Sequence, residues 1–118
     1  MNRVIMYFST KITPSGYSNN VDIFDTSNQQ WKTASLSQTR HSLSAASTNK
    51  NAYFVGGILD GFSTPSDVVD VYNGNSWTTT HLSTARFRPI VIGIADKLYV
   101  TGGYDGEGES ISSVISYK

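Results

Sequence analysis

A tract of the form Trp-x-Thr-x-x-Leu-Ser-x-x-Arg occurs twice, 46 residues apart, and this repetition constrains the fold more than any other feature. The first copy is Trp31, Thr33, Leu36, Ser37 and Arg40; the second is Trp77, Thr79, Leu82, Ser83 and Arg86. The same offset carries Tyr53 onto Tyr99 and Gly56-Gly57 onto Gly102-Gly103. A repeat of this length is a supersecondary unit that does not bury its apolar faces alone. It must stack on neighbours of the same kind.

Between the repeated positions the chain alternates short β-rich runs with Gly, Asn, Ser and Asp turns. No segment sustains helical periodicity, so the pattern predicts an all-β chain. One unit is complete. Its four strands are expected over His41–Ser47, Asn51–Gly57, Val68–Tyr72 and Ser76–His81, with Asn73-Gly74-Asn75 as a hairpin turn. Ahead of it, Arg3–Ser9, Asn20–Asp25 and Gln30–Ser35 match strands two, three and four. Behind it, Arg88–Ala95, Lys97–Gly103 and Ser113–Tyr117 match strands one, two and three. The chain thus divides into an incomplete unit (1–38), a complete one (39–84) and a second incomplete one (85–118). Ala52, Tyr53, Phe54 and Val55 are apolar on both faces of their strand, which fits a sheet covered on both sides. Small residues in strand one (Ser42, Ser44, Ala45, Ala46) suit a crowded position. Pro89 is compatible with the edge of a sheet.

Composition removes several function classes. Charged residues make up 15% of the chain and the formal net charge is zero. No general drive toward nucleic acid or an anionic membrane follows from that balance. There are no cysteines, which excludes disulfides, thiolate metal sites and thiol nucleophiles. No apolar run approaches membrane-spanning length. The opening Met1–Phe8 reads as a strand, because its apolar stretch is short for a signal peptide. The compartment stays open, with the cytoplasm as the default.

The residues Tyr53-Phe54-Val55-Gly56-Gly57, then Tyr72, Trp77 and Arg86, resemble a kelch repeat. A second copy is Tyr99-Val100-Thr101-Gly102-Gly103 with Tyr117, and a first contributes Phe24, Trp31 and Arg40. The resemblance covers nearly the whole chain, with one departure, Ser9-Thr10 where Gly-Gly is expected. It implies kelch-type β-propeller blades, here one complete four-stranded blade flanked by two incomplete ones. Trp31, Trp77, Tyr53, Tyr99, Tyr72, Gly56, Gly57, Gly102 and Gly103 are then structural signatures, with both tryptophans between blades. Kelch propellers close with about six or seven blades. The chain is accordingly expected to join further blades or to associate with copies of itself.

In such propellers, the loops leading into strand one and those between strands two and three share a face. Arg40 and Arg86 occupy the position from which some kelch propellers contact acidic peptide motifs, and an arginine fork suits a carboxylate. The alternative is that each arginine pairs with a local acid or a carbonyl in the same loop. Arg88, Asp60, Phe62, Tyr104 and Asp105 are further candidates on the same loops. Asp105, Glu107 and Glu109 alternate with glycines but lack the other ligands of a calcium loop. His41 and His81 stand at unrelated repeat positions, and no serine sits in a nucleophile elbow. The expectation is a non-catalytic scaffold that binds a protein partner and needs no metal or cofactor. A self-assembling structural protein is one alternative. A carbohydrate-binding or enzymatic propeller segment is another, although the copper oxidases of the family use a cysteine-linked tyrosine.

Overall fold

The computed structural model describes residues 4–8, 12–13, 16–17, 19–25, 28–59, 64–110 and 114–117. Among them the chain is all β, without a helix. A first sheet joins β1 (Val4–Phe8), β4 (Asn20–Asp25) and β5 (Gln30–Ser35). A two-stranded ribbon of β2 (Ile12–Thr13) and β3 (Gly16–Tyr17) lies between β1 and β4 in sequence, where no strand was expected. The central sheet has four strands in sequence order: β6 (Ser44–Ser47), β7 (Ala52–Val55), β8 (Val68–Tyr72) and β9 (Trp77–His81). The third sheet joins β10 (Ile90–Ile94), β11 (Lys97–Thr101) and β12 (Val114–Tyr117). Every pairing is antiparallel.

The period-two alternation of strand residues sorts the central sheet into two buried faces. On one face Ala52, Phe54 and Tyr72 pack with Val21, Ile23, Leu36 and Leu43, which brings in the first sheet. On the other, Tyr53, Val55 and Val69 pack with Leu98 and Val100 of the third sheet and with Leu82. The molecule's thin dimension, 17 Å, is about the rise of a five-residue strand, so the sheets stand side by side.

Turn chemistry at the predicted hairpin is explicit. The Asn73 side-chain carbonyl accepts from the Asn75 and Ser76 amides, both at 2.8 Å, and Gly74 takes φ +98°. Close approach explains the small residues of strand one. A Cβ on Gly93 of β10 would run into the Ser47 carbonyl of β6. The Asn49 amide donates to the Ala95 carbonyl at 2.8 Å, tying the β6–β7 and β10–β11 hairpins together.

Three expectations need correction. Strand one starts later in both units, at Ser44 and Ile90, because Ser42 and Arg88 hold φ +57° and +52°, which ends extended backbone. Pro89 therefore precedes its strand instead of lying in it; its carbonyl accepts from Ser44 Oγ at 2.5 Å. The tryptophans are not equivalent. Trp77 is half-buried against Phe54 and Tyr72, with ring centroids 5.7 and 4.9 Å away. Trp31 touches Phe24 at 5.0 Å but is 57% exposed, because its face of the first sheet points away from the central one.

Candidate interaction surface

The linker from β5 to β6 carries Arg40 into the central sheet. Leu36 anchors it, donating its amide to the Asn19 carbonyl at 2.8 Å. Arg40 Nη1 then donates to the carbonyls of Gly56 (3.0 Å) and Val68 (2.8 Å), and Nη2 donates to Phe54 (3.1 Å). Nη2 also meets Asp70 Oδ2 at 2.9 Å. The same carboxylate accepts from the Ser37 amide at 3.1 Å and from Thr79 Oγ1 at 3.2 Å. Desolvation lowers the pKa of the Arg40 guanidinium, and the Asp70 charge works against that shift. Arg86 repeats part of the pattern. Its Nε donates to the Thr84 carbonyl at 3.2 Å and its Nη1 to that of Gly102 at 3.1 Å.

Neither arginine is exposed. The expectation of a partner-facing Arg40 and Arg86 does not match that burial. The alternative holds only in part: Arg40 reaches carbonyls and an acid of the central sheet, outside its own loop, while Arg86 bonds the Thr84 carbonyl within its loop and that of Gly102 beyond it. Asp70, which completes the Arg40 site, escaped the sequence reading. Its signal was an acid inside the otherwise apolar run Val68-Val69-Asp70-Val71-Tyr72.

The loops gather at one rim, as their order along the chain requires. His41 and Ile58 exchange backbone hydrogen bonds of 3.0 and 2.7 Å; Phe87 and Tyr104 do so at 3.0 Å each. The segment entering each strand one is thereby fastened to the segment leaving each Gly-Gly pair. A Cβ on Gly57 would lie 2.7 Å from the His41 carbonyl, and one on Gly103 would lie 2.8 Å from that of Phe87. Only glycine permits these approaches. The Arg88 amide donates to the Ser42 carbonyl at 2.8 Å, linking the two units.

On this rim the Phe87 and Tyr104 rings sit 5.5 Å apart at 35°, with Tyr104 42% exposed. Arg88 is exposed beside them in sequence. Phe87 was missed as a candidate because it stands where the other unit has His41. Asp105 works inside its own loop. Its Oδ1 accepts from the amides of Glu107 (2.9 Å) and Glu109 (3.0 Å), which leaves both glutamates exposed. Asp60 and Phe62 lie outside the described residues. His81 meets Asp67 at 3.1 Å on an exposed edge, and His41 meets Ser42 Oγ at 3.0 Å. Among the described residues no cluster of three or more His, Cys, Asp or Glu side chains is placed to hold a metal ion.

The backbone is similar to a solved structure described as "Structure of YjhT", with a TM-score of 0.68 and 17% sequence identity. The match covers 86% of this chain and 39% of that one, so this chain spans well under half of its neighbour's length. At that identity the likeness concerns the fold. No family model matches the chain, and no curated protein matches it.

Proposed function

We propose that the chain is a segment of kelch-type β-propeller architecture acting as a non-catalytic scaffold, with the rim around Arg88, Phe87 and Tyr104 as its protein-binding surface. The observation that carries this reading is the fastening of loops at one end of packed sheets. The His41–Ile58 and Phe87–Tyr104 bridges hold irregular segments on a rigid base, the arrangement in which loops serve recognition. The rim offers an aromatic pair beside an exposed arginine, residue types that dominate binding energy at protein interfaces. The sequence resemblance supports the propeller reading, since the four-stranded sheet and its two neighbours repeat one strand pattern. In this reading, units in other copies or in a longer polypeptide complete the array, and binding calls on no cofactor.

The partner expected is a peptide segment offering a carboxylate to Arg88 and an apolar group to the Phe87–Tyr104 pair. The test is fluorescence anisotropy with a panel of synthetic acidic peptides and their amide counterparts. Saturable binding is expected for acidic members, weakened about tenfold or more by Arg88→Ala, the scale of one charge-assisted hydrogen bond. Tyr104→Ala is expected to weaken it comparably. Absence of saturable binding across the panel, or binding indifferent to both changes, would refute the reading.

A further inference from the structure

The two faces of the central sheet recur, uncovered, at opposite ends of the molecule. On the face that packs against the first sheet, Asp70 opposes Thr79 and Tyr72 opposes Trp77. In the first sheet Asp22 opposes Thr33 and Phe24 opposes Trp31, in the same order. That set points away from the core: Asp22, Thr33 and Trp31 are exposed and Phe24 is half-buried. At the other end, Ala46 opposes Tyr53 on the central face that receives the third sheet, and Ile92 opposes Tyr99 in the third sheet. There the outward row is Ile90, Ile92 and Ile94, exposed by 59, 51 and 59%. Three isoleucines in a row on a sheet face form a contiguous apolar patch of the kind that marks an interaction site.

The geometry points to a second copy of this chain as the occupant, docked head to tail. Within one chain the rule of stacking is already set. The face of Val21 and Ile23 receives the face of Phe54 and Tyr72, and the face of Tyr53 and Val55 receives that of Leu98 and Val100. Continuing it by one step places the Ile90–Ile92–Ile94 face of one copy against the Phe24–Trp31 face of the next. Both halves of that interface are present on every chain, and they are different surfaces. The contact is therefore heterologous, and it propagates or closes into a ring according to the angle between units. Its side chains, those of Ile90, Ile92, Ile94, Phe24 and Trp31, are not the ones that carry the proposed partner binding.

The test is sedimentation equilibrium of the full chain over a dilution series, with circular dichroism to confirm folding. The mass is expected to rise with concentration to twice that of one chain or more. Ile92→Lys alone and Trp31→Asp alone are expected to stay at the mass of one chain. Mixed, they are expected to form a one-to-one dimer, because each retains the face the other has lost. Arg88→Ala and Tyr104→Ala should leave the mass unchanged, so partner binding and self-association fail independently. A wild-type chain that stays monomeric overturns the proposal, also if this face captures a different protein. So does an oligomer that either single variant still forms, or a mixture that does not pair. The absence of cysteine from the chain provides a second readout should a charged variant not fold. With a bismaleimide linker, Trp31→Cys mixed with Ile92→Cys should crosslink as a dimer and neither should alone. Crosslinking only between identical variants indicates a two-fold interface and overturns the head-to-tail arrangement.

Discussion

Arg40 meets Asp70 at 2.9 Å with both side chains buried, joining the linker after the first sheet to the third strand of the central one. The pair does more than neutralise charge. Arg40 also ties down the carbonyls of Phe54, Gly56 and Val68, so one side chain holds two neighbouring strands at their ends.

Asp70→Ala should therefore be among the most damaging single changes, costing about 3–5 kcal/mol by leaving a buried guanidinium without its counter-charge. Arg40→Met should cost a similar amount through the freed carboxylate. Combined, the two should cost clearly less than their sum, since neither then strands a charge. Urea denaturation of the four proteins measures this coupling. Strict additivity would mean that the ion pair contributes nothing beyond its separate halves.

Gly93→Ala and Gly74→Ala separate close packing from backbone conformation. A Cβ at Gly93 collides with the Ser47 carbonyl, and backbone yields little. The expected loss is about 1–3 kcal/mol, the scale of overpacking. Gly74 has open space around it but a φ of +98°, so an alanine there should cost only conformational strain, about 1 kcal/mol. Thermal unfolding of both variants should rank Gly93→Ala as the less stable.

Both glycines also show what the sequence made legible. Gly74 could be read because Asn-Gly-Asn is a local turn signal, complete within three residues. The doubly covered Ala52–Val55 strand was legible for the same reason, since alternation is a property of a short window, and the strand order and three-sheet arrangement were legible because the chain repeats its own pattern. Gly93 was not legible, because its constraint is a carbonyl 46 positions away on another sheet. The candidate surface fared similarly. Arg40 and Arg86 were found by their repetition, but their direction depends on acceptors supplied by other strands. Phe87 was passed over because the rim aromatic does not repeat, His41 standing in its place.

Asp105→Ala should loosen one loop without unfolding the protein. The carboxylate accepts from two exposed amides, those of Glu107 and Glu109. Its loss should cost about 1 kcal/mol, confined to that loop. Hydrogen exchange at residues 107 and 109 is expected to accelerate several-fold, while Leu98 and Val100 in the core keep their protection. Uniform acceleration across the third sheet would show that the loop and the sheet open together.

The two tryptophans provide a paired comparison in which sequence equivalence and structural environment disagree. Trp77 stacks on Tyr72 and Phe54 between two sheets, so Trp77→Ala should cost about 3 kcal/mol, the low end for a packed tryptophan. Trp31 holds the same place in the repeat and touches Phe24, but it is more than half exposed. Trp31→Ala should then cost about 1 kcal/mol in a chain kept monomeric by Ile92→Lys, the scale of one aromatic pair. In the unrestrained chain at high concentration the Trp31 change should become more costly, because burial against a second copy adds to what the ring contributes. Denaturation midpoints for both variants, in each background and at two protein concentrations, distinguish these cases. A Trp31→Ala cost equal to that of Trp77→Ala in the monomer would show that the outer face of the first sheet is covered within a single chain.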